Sequence, residues 1–105
     1  MAVPRKGEVW LVDMGYTAKT RPALVVSIPI TGAERVITTV VPHTTSERGT
    51  RFEAKSDVRW LKDGVFDVQG ISTFPTVKLI RKLGELPIDQ FDDVVSRMKL
   101  LLDLP

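Results

Sequence analysis

The stretch RPALVV at residues 21–26 places a cation, Arg21, directly before a nearly continuous apolar run. A short, valine-rich run of this kind predicts a strand buried in a sheet. A second stretch, VVPHTTS at residues 40–46, ends another apolar run in the clustered hydroxyls of Thr44, Thr45 and Ser46. A fixed guanidinium beside several hydroxyls is suited to binding and polarising a phosphate. The two stretches together favour nucleic acid as the substrate.

Outward from these stretches, the sequence predicts six strands followed by one helix. The predicted strands cover residues 7–13, 22–28, 35–41, 51–55, 65–71 and 76–83. Proline donates no ladder hydrogen bond, so we expect Pro22 at the start of its strand and Pro42 just past the end of the next. Apolar residues recur at three- and four-residue steps from Ile88 to Leu102, which predicts an amphipathic helix. Burial of that helix against the sheet is favoured over a dimer interface.

This order of elements predicts a mainly β fold, a small twisted sheet curled into a partial barrel with a C-terminal amphipathic helix. Closure, the helix or dimerisation must cover the sheet edges. A length of 105 residues is expected to form one domain over residues 1–105.

Composition excludes several classes of function. Cysteine is absent and His43 is the single histidine, which argues against a disulfide framework, a thiolate nucleophile and a protein-bound metal or other cofactor. No apolar run is long enough to span a bilayer, so no membrane role and a cytoplasmic location are expected. The net charge is +2, and five acidic residues against two basic ones follow from Glu85 onward. A basic body fits a phosphate-binding face, although charge alone favours an unevenly charged solvated surface.

Several ordered pieces of the chain carry a resemblance to a known family. They are RKGEVWLVD at residues 5–13, TRPALVVS at residues 20–27, VVPHTTS at residues 40–46, DGV at residues 63–65 and the amphipathic tail helix. In this order and spacing, over nearly the whole chain, they resemble the MazF/PemK family of toxin endoribonucleases from toxin–antitoxin pairs.

The resemblance implies an SH3-like barrel of the CcdB/MazF kind that acts as a homodimer. It also implies metal-independent cleavage of single-stranded RNA, in which a ribose 2′-hydroxyl attacks the adjacent phosphate and leaves 2′,3′-cyclic phosphate and 5′-hydroxyl ends. A cognate antitoxin would neutralise the toxin by laying an acidic, partly disordered tail along the RNA groove.

By the same resemblance, the essential arginine of the family falls on Arg21 and its essential threonine on Thr44. Arginine stays charged and presents rigid donors, so charge stabilisation on the phosphate is the role expected of Arg21. Thr44 would donate a hydroxyl hydrogen bond to the same phosphate, with Thr45 and Ser46 as accessory donors. Without the resemblance, a surface ion pair and ordinary strand and turn preferences account for these residues.

Substrate binding is further expected from Tyr16 and Lys19, in the loop before Arg21, and from Gln69, which matches a glutamine of the family. Arg48, Arg51 and Lys78 are additional candidates for phosphate contacts, which the sequence does not rank.

Three residues with chemical potential are assigned to packing first. In an extended run His43 points opposite to Thr44, so packing or RNA contact is favoured over catalysis. Trp10 and Trp60 are expected in the core or at a dimer contact rather than as stacking platforms.

Two other functions stay open from the sequence. One is a non-enzymatic toxin that resembles CcdB and poisons DNA gyrase by binding it. The other is a degenerate relative that binds RNA without cutting it.

Overall fold

A computed structural model describes residues 3–15 and 19–105. In this part of the chain, seven strands and one α-helix form, with short 3₁₀ turns at Val68–Gly70 and Thr76–Lys78. The elements are β1 (Glu8–Asp13), β2 (Thr20–Val25), β3 (Ile37–Thr44), β4 (Glu53–Ser56), β5 (Gly64–Asp67), β6 (Ser72–Pro75), β7 (Leu79–Glu85) and α1 (Ile88–Leu102).

The strands form one antiparallel sheet in the order β4-β5-β3-β2-β1-β7, and β6 pairs with β3 off this path. β4 and β7 are the two ends of the path, so the sheet does not close. This architecture confirms the predicted mainly β fold with a C-terminal helix.

Apolar side chains alternate between two clusters on opposite faces of the sheet. On β2, Leu24 packs into the cluster under α1, whereas Ala23 and Val25 pack into the other cluster. Phe91 and Val94 of α1 are buried in the first cluster, so the helix covers one face of the sheet as predicted. The α1 stripe is therefore largely core, and the apolar run of β2 is buried on both faces.

One departure from the predicted strands lies at Pro42. β3 continues through Pro42 to Thr44 because it changes partner there: Pro42 still pairs with Ala23 of β2, whereas His43 pairs with Phe66 of β5. Pro22 is the third residue of β2, and the pairing of β2 with β3 reaches only to Ala23, so β3 requires no hydrogen bond from Pro22.

The region after β5 also differs from the prediction. A single strand over residues 65–71 is wrong, because β5 ends at Asp67 and its carboxylate accepts the backbone N–H of Gln69 at 3.1 Å. This local bond stabilises the 3₁₀ turn in place of a sheet ladder. β6 follows and pairs with β3, a strand that the sequence pattern did not predict, and β7 then occupies Leu79–Glu85 rather than residues 76–83.

None of the helical segments in residues 3–15 and 19–105 combines the length and hydropathy needed to cross a bilayer.

Candidate active site

A cleft of about 700 Å³ opens where β2 and β3 separate. Arg21 and Pro22 of β2 line it on one side, and Pro42, His43 and Thr44 of β3 line it on the other. Neither proline can donate a ladder hydrogen bond. Since β3 turns to β5 beyond Pro42, the first residues of β2 and the last residues of β3 are left as two walls of an open site.

Arg21 and Thr44 occupy equivalent positions on these walls. Each lies two residues beyond the last pair that joins the two strands, Ala23 with Pro42. Alternate residues of a strand point to the same face of the sheet, so Arg21 lies on the same face as Ala23, and Thr44 lies on the same face as Pro42. The structure therefore brings together the two residues that the sequence places far apart.

The hydroxyl of Thr44 is oriented by a short turn. Its Oγ1 accepts the backbone N–H of Ser46 at 3.1 Å, which leaves the hydroxyl proton free for an acceptor in the cleft. Thr45 and Ser46 are exposed and line the same cleft. All three clustered hydroxyls thus face one concavity with Arg21.

Of the other predicted binding residues, two lie off the cleft wall and one falls outside the described residues. Tyr16 falls outside the described residues. Lys19 is exposed in a left-handed conformation (φ 56°) and its N–H donates to the Gly15 carbonyl at 2.7 Å, but its side chain is not part of the cleft wall. Gln69 is exposed on the 3₁₀ turn and also lies off the cleft wall.

His43 is held by neutral hydrogen bonds in the wall of the cleft. It is 4% exposed, its Nε2 lies 2.9 Å from Ser56 Oγ, and its ring meets Phe66 edge-on at 5.1 Å. The Ser56 hydroxyl donates to the Gly64 carbonyl at 3.2 Å, so Nε2 carries the proton that Ser56 accepts. Burial lowers the pKa of His43, which favours the neutral imidazole. These contacts agree with the packing role predicted for it.

The cleft has a cationic lining. Besides Arg21, it contains the side chains of Arg48, Lys62 and Arg81. In the described part of the chain, no carboxylate comes within ion-pair distance of these four cations. Four cations against the two carboxylates of Glu53 and Asp67 in one concavity favour an anionic ligand.

The two carboxylates of the cleft are tied to the backbone. Glu53 accepts the N–H groups of Arg48, Gly49 and Thr50 at 2.7–3.2 Å. Burial opposes its ionisation, but these backbone hydrogen bonds hold the pKa of Glu53 below its usual value. Asp67 accepts the N–H of Gln69. Both carboxylates therefore serve the loops that build the walls, and Glu53 fixes the loop that carries Arg48.

Of the three cations that the sequence did not rank, Arg48 lines the cleft, whereas Arg51 and Lys78 do not. The guanidinium of Arg51 lies over the ring of Phe52 at 4.8 Å, and Lys78 Nζ lies 3.8 Å from Asp13 Oδ2. Lys62, Arg81 and Trp60 line the cleft but were missed in the sequence. The sequence signal nearest to them was the turn that begins at Lys62, Lys-Asp-Gly. No sequence pattern indicated that these residues lie near Arg21.

The comparisons with known proteins agree with this fold. The family model described as "PemK-like, MazF-like toxin of type II toxin-antitoxin system" matches residues 5–102. The chain belongs to this family, which confirms the resemblance inferred from the sequence.

Solved structures of the family have the same fold. A chain of the MazE-MazF crystal structure (Form II) from Deinococcus radiodurans superposes with a TM-score of 0.85 at 23% identity, with 100% of both chains covered. An endoribonuclease in complex with its cognate antitoxin from Mycobacterial species gives 0.84 at 24% identity, with 97% of both chains covered. Mycobacterium tuberculosis toxin MazF-mt6 gives 0.80 at 25% identity, over 93% of this chain and 98% of that one. The mainly β sheet with its terminal helix is thus the MazF fold.

Proposed function

We propose that this protein is an endoribonuclease toxin that cuts single-stranded RNA without a metal ion, and that a cognate antitoxin neutralises it. The observation that carries the proposal is the shared cleft of Arg21 and Thr44, in which the lining cations outnumber the lining carboxylates. Membership of the toxin family supports the same conclusion.

In the proposed reaction, the 2′-hydroxyl of a ribose attacks the adjacent phosphorus and loses its proton. The bond from phosphorus to the 5′ oxygen of the next nucleotide breaks, and that oxygen takes up a proton. The products are a 2′,3′-cyclic phosphate and a 5′-hydroxyl, so no water or metal ion enters the bond-breaking step.

Arg21 and Thr44 stabilise the charge that develops on the phosphate. The guanidinium of Arg21 donates to the non-bridging oxygens, and the free hydroxyl proton of Thr44 donates to the same group. A fixed donor of this kind contributes on the order of 10²–10³ in rate where it has been removed from other enzymes. Thr45 and Ser46 act as accessory donors.

The other cations of the cleft bind neighbouring phosphates of the strand. Arg48, Lys62 and Arg81 lie on three separate segments of the chain, so they extend the positive surface away from Arg21. Lys19 and Gln69 stay assigned to substrate binding beyond the cleft, where the RNA continues past the scissile bond, and Tyr16 also stays assigned to substrate binding.

The antitoxin and a second copy of the chain complete the proposal. An acidic antitoxin segment would compete with RNA for the cationic cleft, which explains neutralisation by charge complementarity. The toxin would act as a homodimer in the cytoplasm, where messenger RNA is available.

The decisive experiment incubates the purified protein with a long single-stranded RNA in EDTA. We expect cleavage that persists in chelator, leaves 2′,3′-cyclic phosphate ends and is lost in Arg21→Ala. Arg51→Ala is the matched control, because Arg51 is an exposed cation off the cleft wall, and it should cut normally.

Other results would contradict the proposal. Intact RNA together with inhibited gyrase supercoiling would indicate a gyrase-binding toxin. Retention of intact RNA with neither effect would indicate an RNA-binding relative that does not cut.

A further inference from the structure

Trp60 has a position that packing in the core does not explain. It lies in the loop between β4 and β5, is 38% exposed, and lines the same cleft as Arg21. The other tryptophan, Trp10, is buried and donates its indole N–H to Glu8 at 2.9 Å. Only Trp60 of the two presents its indole to the cleft.

One face of the Trp60 indole rests on the backbone of β7 at Gly84. A Cβ atom at Gly84 would lie 2.5 Å from Cε2, 2.6 Å from Cζ2 and 2.8 Å from Cδ2 of Trp60. These bonded ring atoms are nearly equidistant from that point and all closer than the indole nitrogen, so the contact is with the ring face rather than its edge. Glycine is required here because any side chain would lift the indole away.

The opposite face of the indole is the one that a ligand would meet. Gly84 covers one face, and Trp60 is still 38% exposed where it lines the cleft. Gly84 pairs with Val9 of β1, next to a register shift between Val9 and Trp10, so the support beneath the ring belongs to the β1–β7 part of the sheet. The indole is thus pre-positioned, and a stacking ligand has little side-chain freedom to remove.

The charges around Trp60 identify the ligand class. Lys62 follows it by two residues and Arg81 lies on β7 three residues before Gly84, and both line the cleft. A flat aromatic face beside cations that follow a phosphate backbone is the combination by which proteins bind single-stranded nucleic acid. An apolar protein ligand would not need these cations.

We infer that Trp60 is a substrate-binding residue whose free indole face stacks an unpaired base of the RNA bound at Arg21. The inference rests on the proposed function and adds to it a residue that stacks on a base. It replaces the core or dimer-contact role expected for Trp60 from the sequence.

The test measures binding of a labelled, short, random-sequence RNA pool that carries 2′-O-methyl groups. Such RNA lacks the attacking hydroxyl and therefore stays intact. Trp60→Leu keeps an apolar side chain but removes the π face, and we expect a loss of affinity between about 5-fold and 150-fold. Trp60→Phe restores a π face and should recover most of the affinity.

Two further measurements separate stacking from a structural effect. Gly84→Ala keeps Trp60 in the sequence, but the added methyl group displaces the indole ring. This variant should therefore weaken binding as Trp60→Leu does. Ile80→Ala removes an exposed apolar side chain of β7 off the cleft wall and should bind normally. RNA should also quench the tryptophan fluorescence of the wild type, and this quenching should vanish in Trp60→Phe.

The outcomes distinguish this inference from the proposed function. One outcome would overturn the inference alone: the wild type cuts unmodified RNA, and the Trp60 variants bind RNA with the same affinity and show the same fluorescence quenching as the wild type. So would a Trp60→Leu variant that changes only its sedimentation or antitoxin binding, because Trp60 would then belong to a protein interface. A wild type that neither cuts RNA nor binds the pool would overturn both.

Discussion

Arg21 of β2 and Thr44 of β3 each lie two residues past Ala23 and Pro42, the last pair that joins their strands, and both line one cleft. Had the ladder continued, its hydrogen bonds would have closed the space between the strands. Pro22 and Pro42 remove two donors at this point, and β5 takes over the pairing of β3. The end of one ladder and the start of another thus create the site.

The hydroxyl of Thr44 is expected to be required for cleavage. Thr44→Val keeps the shape of the side chain and removes the donor, so the single-turnover cleavage rate should fall about 10²- to 10³-fold. Thr44→Ser should retain most of the rate. Thr39→Val, which breaks an exposed hydroxyl pair with Thr73 elsewhere on β3, is the control. Wild-type cleavage by Thr44→Val would exclude this role.

The cations of the cleft are expected to set the salt dependence of RNA binding. Each phosphate contact on a single strand contributes about 0.7 to the slope of log affinity against log salt. Arg81→Gln and Lys62→Gln should each reduce the magnitude of the slope by about that amount, as measured with uncleavable RNA. Lys99→Gln changes an exposed lysine on α1 and should leave it unaltered. Equal slopes in all variants would show that these cations do not contact phosphate.

Burial of His43 predicts a loss of stability in mild acid. Because burial lowers its pKa from an ordinary value of 6.5, the unfolded chain binds the proton more readily than the folded one. The free energy of unfolding should be highest above 6.5 and should fall as the pH drops below it toward the folded-state pKa.

Urea unfolding at about pH 7.5 and about pH 5.5 measures this effect. The pKa values of Glu8 and Glu53 are lowered from 4.5, so these carboxylates affect the free energy of unfolding only at more acidic pH. His43→Gln should flatten the dependence in the upper window. If that variant keeps the full pH dependence, another group is responsible.

Gly64 is expected to position Thr44. A Cβ at Gly64 would overlap the backbone carbonyl of Thr44 and approach His43 Cε1 to 2.8 Å. Gly64→Ala should therefore lower the free energy of unfolding by about 1–3 kcal/mol and also slow cleavage under conditions where the variant is folded.

Gly32→Ala provides the comparison for Gly64→Ala. Gly32 has a φ of +62° with open space around its Cα, so alanine there strains the backbone without touching Thr44. It should lose stability in a urea titration but keep its cleavage rate. If the two variants cut equally well once folded, Gly64 has no part in placing Thr44.

Local sequence patterns predicted the elements in which apolar residues repeat at the regular spacing of a single strand or helix. The apolar run after Pro22 and the stripe from Ile88 to Leu102 became β2 and α1, because each buries side chains at the spacing of its own backbone. β6 was missed because its residues Ser72–Pro75 have one apolar side chain before the proline and so show no alternating strand pattern. The 3₁₀ turn at Val68–Gly70 was missed because one side-chain bond from Asp67 decides it.

The sequence by itself determined the buried faces of the strands, the terminal helix and the family resemblance, from which the predicted roles of Arg21 and Thr44 come. These follow from residue types and short-range spacing, which the chain carries before it folds. Only the tertiary structure decided that Arg48, Lys62, Arg81 and Trp60 join them in one cleft, and that Lys19 and Gln69 do not. The reason is that strand pairing sets which distant segments meet, and the change of partner at Pro42 depends on contacts between β3 and β5 that no local pattern contains.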